Sequence, residues 1–455
     1  MTKEQIRTSV ELMREENKKE ILKLTDRVNV LKYKNLVRNS DEGEIWTDAI
    51  NKALEEHEII EIPKGEYFVD ASLIMHSNNR IEASKNAVIK KINGMKTLLI
   101  RNENVVDESH FLCPADRQKD FNISIDGGIW EDYVTSRGVY GTDSIFDEED
   151  TMHGVYTCML FSNVKNLSLK NLKLVRSAGF SIQIGNGENF CFENIEFISG
   201  FADGIHINGN TKNIFINHVY GQVGDDIVAL NMYDWDNSSI NFGPVENVWC
   251  EDVELSSDSP YKAIRILPGV YDFDDGSSIE CRAKNLVLKN IRGINNFKLY
   301  LQTSRYKLTE PRIGKVGSGD NIYFEDISIE LDKPIDEFEP YLKSDSVNGA
   351  IGGFEFGANI KNIFFEDIRV NMYRDKFPES YLAVFGPKSF INEANEEVFD
   401  PYVKCSVENL YLKDIAINGK ITDKPADYVK EVVFDRIYDS DLATGWGKIE
   451  NIIKL

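Results

Sequence analysis

The sequence predicts an all-β chain wound into a single-stranded, right-handed parallel β-helix, a solenoid, with a helical segment at its N-terminus. A short pattern built on an asparagine recurs from about residue 120 onward. The copies sit too close together for a crossover helix to fit between them, and few hairpin dipeptides separate them. Parallel strands stacked one coil at a time satisfy both conditions, and parallel crossovers are right-handed.

The first element is a helix. Thr2 and Gln5 form a capping box, and Ile6, Val10, Met13, Asn17, Ile21, Leu24, Val28 and Leu31 follow at steps of three or four. We read residues 1–35 as an amphipathic helix that either caps the open end of the solenoid or joins subunits in a homo-oligomer, and residues 36–455 as the solenoid itself. A second helix over Trp46 to His57 leads into period-two apolar residues on either side of the turn Pro63-Lys64-Gly65, which announce strands.

The repeat begins at Asn166, Asn189, Asn213, Asn247, Asn285, Asn321, Asn362 and Asn409, with a degenerate ninth copy from Glu431. In each, alternating apolar residues follow the asparagine, then a polar residue precedes a branched one. The first spacings are 23 and 24 residues and later ones lengthen to 34 or more, as when loops are inserted into a coil of fixed size. The asparagine reads as a ladder residue whose amide bonds to backbone or to the asparagine one coil away.

Composition narrows the function. A hydrophobic fraction of 42% and an aromatic fraction of 11% supply a large core. A formal charge of −23 would repel nucleic acid and anionic membrane, so neither is an expected partner. The N-terminus is charged from its first residues, with no apolar stretch for a signal peptide, which predicts a cytoplasmic protein. Six cysteines without a C-x-x-C pair read as buried thiols, not zinc ligands or disulfides.

Stacking brings residues one repeat apart to within about 4.8 Å of each other. Superposing the second strand of each repeat places Gln183, His206, Ala229, Arg265, Tyr300 and Glu355 in one outward row. Asp203 and Asp226 each lie three residues before that row, with Asp225 beside them, and separations of 22 and 23 residues put all three carboxylates on neighbouring coils. Clustered carboxylates repel, so one keeps its proton while another stays ionised, as glycosidic hydrolysis requires. Asp-Gly and Gly-Asp also suit turns, and a carboxylate cluster also suits calcium. Tyr233 and Trp235, just after the Asp-Asp strand, are candidates to stack on a sugar ring.

These motifs resemble the polygalacturonase-type family of glycoside hydrolases. Thr47-Asp48-Ala49-Ile50 followed by Ile62-Pro63-Lys64-Gly65-Glu66-Tyr67 is similar to the family's opening, Phe201-Ala202-Asp203-Gly204 to its Asn-Thr-Asp-Gly, and Gly224-Asp225-Asp226-Ile227-Val228-Ala229-Leu230 to its Gly-Asp-Asp strand. The resemblance implies a pectin-type glycosidase that inverts configuration without organic cofactor or obligatory metal. It implies Asp225 or Asp226 as acid, Asp225 first, and Asp203 with the remaining aspartate as base. His206, Arg265, Tyr233, Trp235, Tyr300 and Glu355 are then the expected binders of an oligosaccharide or polysaccharide.

Two departures stand out. Ser256-Ser257-Asp258-Ser259-Pro260 replaces Gly-His-Gly, and Leu267 stands where the family has a lysine facing the substrate carboxylate. The second predicts a preference for neutral sugars, weakened by Arg265. A lyase or epimerase on the same fold, and a non-catalytic, tail-spike-like carbohydrate binder, are the alternatives.

Overall fold

The computed structural model describes residues 1–95, 98–105, 120–132, 157–233, 239–272, 275–300, 316–331, 351–386, 390–391, 397–398, 404–431 and 446–455. Its strands form two large sheets, one of 19 strands and one of 11. The chain alternates between them. Val164–Val175 pairs in parallel with Gly187–Ile198, and that with Thr211–Gly221. Between these lie the strands of the smaller sheet, each paired in parallel with the strand one coil on. This is the expected parallel β-helix.

The asparagine ladder explains the repeat. Each amide donates to the Oδ1 one coil earlier: Asn166 to Asn122 at 2.8 Å, Asn189 to Asn166 at 2.9 Å, Asn213 to Asn189 at 3.1 Å and Asn247 to Asn213 at 3.1 Å. From Asn122 to Asn321 these residues hold φ between 56° and 66°, the left-handed region that asparagine tolerates best among residues with a Cβ. A second left-handed position five residues on, Asn171, Asn194, His218, Asp252, Asn290, Asp326, Asp367 and Asp414, divides each long strand into two legs. The polar residue that the repeat carries there is this turning point. The last ladder member is Asn451, which donates to Asn409. Of the segment expected as a ninth copy only Glu431 is described, at the end of a strand of the other sheet, Val429–Glu431; the remainder falls in residues 432–445, outside the described residues.

Inward residues stack by type along the axis. Leu167, Phe190, Ile214, Val248 and Leu286 follow one another in register and are fully buried. Phe297 lies over Phe354 and Phe356 over Phe385, with ring centroids 5.1 and 4.8 Å apart. Each such side chain contributes about 1.5–3 kcal/mol by burial, shared between neighbouring coils.

The N-terminal helix, α1 (Lys3–Ile21), has the expected capping box and buries Ile6, Val10, Met13, Asn17 and Ile21. It is shorter than the periodicity suggests. Leu22 caps it, Val28 lies in the strand Arg27–Asn29 within the large sheet, and Leu31 is exposed. Its position also differs from an end cap: α1 lies along the flank of the solenoid, across Cys191, Phe215, Trp249 and Val287 of four successive coils. The polar interruption of its apolar stripe has a purpose, because Asn17 donates to the carbonyls of Leu167 and Asn189, each at 3.0 Å. The second helix, α2 (Thr47–Glu56), puts Ala49, Ile50, Ala53 and Leu54 into the core with Val28, Ile60 and Leu73, so it is this helix that closes the first coil.

Candidate active site

The outward face of the smaller sheet carries the site. Its strands are β1 (Phe180–Gly185), β2 (Ile205–Asn208), β3 (Val228–Asn231), β4 (Ala263–Ile266), β5 (Asn296–Tyr300) and β6 (Ile351–Gly357). Register runs Gln183, His206, Ala229, Arg265, Lys298, Glu355. The expected row is therefore right except at β5, where Lys298 takes the place assigned to Tyr300. Tyr300 stands two residues further on, opposite Gly357. Inward Phe297 and Leu299 fix this phase, and the alternation Phe-Lys-Leu-Tyr carries the signal once Phe297 is matched to Ile264.

The three aspartates come from two stacked loops that precede β2 and β3. Close approach of the loops demands glycine at both. A Cβ on Gly204 would lie 2.5 Å from the Ile227 carbonyl oxygen, and one on Gly224 would lie 2.3 Å from that of Phe201. Gly204 N–H donates to the Asp226 carbonyl at 2.9 Å and Gly224 N–H to that of Ala202 at 3.1 Å. As a result one carboxylate oxygen from each of Asp203, Asp225 and Asp226 lies within 4.8 Å of the others. All three residues are buried.

Arg265 meets the adjacent pair, Nη2 at 3.5 Å from Asp225 and Nε at 3.3 Å from Asp226. Its guanidinium and the Lys298 ammonium both lie over the ring of Tyr261, at 5.0 and 5.2 Å from the centroid. The motifs point to neither Lys298 nor Tyr261, the latter directly following the stretch that departs from them. Burial pushes the Asp226 carboxyl well above the usual carboxylate range, with Asp225 and Asp203 adding to the rise and Arg265 and Lys298 opposing it. Burial also raises Asp203, against a lowering hydrogen bond from His206. The same three carboxylates could ligate a divalent cation, but Arg265 already places positive charge against two of them.

The expected binders divide. Arg265 lies beside the trio, and Glu355 lies in the row and is buried. His206 is fully buried behind Asp203, Nδ1 at 2.6 Å from Oδ2, with Phe180 stacked on its ring, so it offers no surface to a sugar. Tyr233 is buried as well. It packs against Phe242 and Tyr271, centroids 5.8 and 6.5 Å away, as part of the core and not as a sugar platform. Trp235 lies outside the described residues. Leu267, at the position of the missing lysine, is buried.

A parallel β-helix with a buried carboxylate trio beside an arginine is thus what the chain builds. Its fold is shared with two exopolygalacturonases of known structure. The Family 28 enzyme of Yersinia enterocolitica is 12% identical, with a TM-score of 0.51, over 94% of this chain and 78% of that one. The hyperthermoactive enzyme of Thermotoga maritima is 13% identical, with a TM-score of 0.50, over 97% of this chain and 96% of that one. At such identity the likeness is one of fold. No family model and no curated protein matches the sequence.

Proposed function

We propose that the protein is a glycoside hydrolase that works by carboxylate acid–base catalysis, with Arg265 as the cation that meets the substrate. The observation that carries this is the trio itself: three buried carboxylates within 4.8 Å, on two coils, with one guanidinium beside the adjacent pair. Mutual repulsion and burial favour keeping a proton in the trio, and interacting groups release it as a set. Burial and its two carboxylate neighbours favour the protonated form of Asp226, and Asp225 opens furthest to solvent of the three. One of this pair gives the proton to the leaving oxygen, and Asp203 with the other activates water.

Lys298 changes the expected substrate. Leu267 in place of the lysine predicts neutral substrates, an expectation that Arg265 weakens. Lys298, 1% exposed and in register between Arg265 and Glu355, adds buried positive charge behind Arg265 and not a contact of its own, and that charge supports Arg265 in holding a sugar carboxylate.

Incubation with matched galacturonide and galactoside oligosaccharides tests this. New reducing ends without ultraviolet absorbance, faster from the galacturonide, are expected. An absorbing, unsaturated product would instead identify a lyase, and no product from any of a panel of glycosides would leave a binding protein. Asn replacement at Asp225 or Asp226 should each remove at least about a hundredfold of activity. The variant that keeps turnover of an aryl glycoside with a good leaving group marks the proton donor.

A further inference from the structure

Behind Asp203 lies a buried chain of hydrogen bonds that fixes a protonation state. Two backbone groups settle which way the Asn208 amide points: Ile240 N–H donates to Oδ1 at 3.2 Å, and Nδ2 donates to the Asn231 carbonyl at 3.3 Å. Gln183 Nε2 adds a second donor to Oδ1 at 2.7 Å. Asn208 Nδ2 therefore faces His206 Nε2, at 3.3 Å. An amide N–H can only donate, so Nε2 carries no proton and the imidazole is neutral with its proton on Nδ1. That proton is given to Asp203 Oδ2 at 2.6 Å, while Oδ1 accepts from Asp226 N–H at 3.2 Å. Phe180 lies flat on the imidazole, centroids 3.7 Å apart and planes 16° from parallel.

We propose that His206 is a positioning residue: held as the neutral Nδ1–H tautomer by Asn208, it orients Asp203 and keeps it the ionised base of the trio. This rests on the hydrolase reading above. Among the described residues, burial and Asp225 favour its protonated form and His206 and Arg265 its ionised form, while Asp226, which Lys298 also faces, stands beside it. A carboxylate that receives donors on both oxygens is stabilised as the anion. A base works only when ionised, so activity falls as pH falls through the Asp203 titration. Loss of the Nδ1 donor moves that acid limb to higher pH.

His206→Phe keeps an aromatic ring against Phe180 but removes the donor, and His206→Asn restores an N–H near the place of Nδ1. The acid limb of the kcat profile should rise by about one pH unit or more in His206→Phe. KM should change little, because His206 does not reach the substrate, and His206→Asn should recover most of the shift. Lower melting temperature in both variants with an unmoved acid limb would reduce His206 to a packing residue and overturn the proposal. Nitrogen-15 NMR of the wild-type protein tests the tautomer without any substrate. The imidazole signals lost in His206→Phe should be those of an unprotonated Nε2 and a protonated Nδ1, unchanged at mildly acidic pH. A protonated Nε2 would overturn the proposal and leave hydrolysis untouched, whereas a wild-type protein that cleaves no glycoside would remove the base role together with the hydrolase reading.

Discussion

At the scale of single residues, the site works against the fold. Asp226 is 1% exposed, and burial together with two carboxylate neighbours raises its titration well above the ordinary range. A carboxyl whose folded titration lies above the unfolded one, near pH 4, binds its proton more tightly in the folded chain. Its contribution to stability is thus fully present below about pH 4 and is lost as pH rises through the folded titration. Asp226→Asn removes that loss. We expect the variant to match wild type in melting temperature near pH 4 and to exceed it at neutral pH, by about 0.5–2 kcal/mol, while losing activity. Thermal unfolding of both proteins across that pH range checks the sign, and a variant less stable at neutral pH would show that the carboxylate is well compensated. The aspartates themselves were legible in the sequence, because stacking converts a 23-residue separation into contact. Lys298 was not, since a two-residue error of phase in one strand leaves the apolar pattern intact while exchanging one outward residue for another.

At the scale of elements, the ladder decides register. Asn213 donates to Asn189 and accepts from Asn247, both at 3.1 Å, with φ of 59°. Asn213→Ala leaves two amides short of a partner, at about 1–3 kcal/mol, and forces a left-handed alanine, at about 1–2 kcal/mol. Asn213→Gly loses the same bonds without the conformational cost, so it should fall between wild type and Ala. Chemical denaturation of the three proteins ranks them. A glycine variant less stable than the alanine would mean that the amide contacts and chain entropy, and not the backbone angle, select asparagine. The repeat was readable because it is a physical requirement restated on every coil. The end of α1 was not readable from spacing. Leu24, Val28 and Leu31 continue the helical step by coincidence, and the pairing of Arg27–Asn29 with Ile59–Ile62, a contact over 30 residues away, draws the chain into the sheet.

At the scale of the whole molecule, α1 ties coils together that otherwise touch only their neighbours. In a solenoid each repeat gains stability from the next, and an element spanning four coils adds contacts between repeats far apart in sequence. Lys3 pairs with Glu325 and Glu366, and Arg14 pairs with Glu193, so the helix is held by charge at its start and beyond its middle as well as by its apolar face. That face is fully occupied by the helix's own chain, with Val10 1% exposed. An amphipathic pattern at a chain's end reads equally well as a cap, a subunit contact or a flank, because all three bury the same stripe. The three differ in how stability depends on concentration. If α1 serves its own chain, the melting temperature should stay constant over a hundredfold range of protein, and Val10→Asp, which puts an unpaired charge against Phe215 and its neighbours, should lower it by at least about 2 kcal/mol without changing the particle mass. A melting temperature that climbs with concentration, together with a Val10→Asp protein of lower mass by light scattering, would instead assign the helix to a subunit interface.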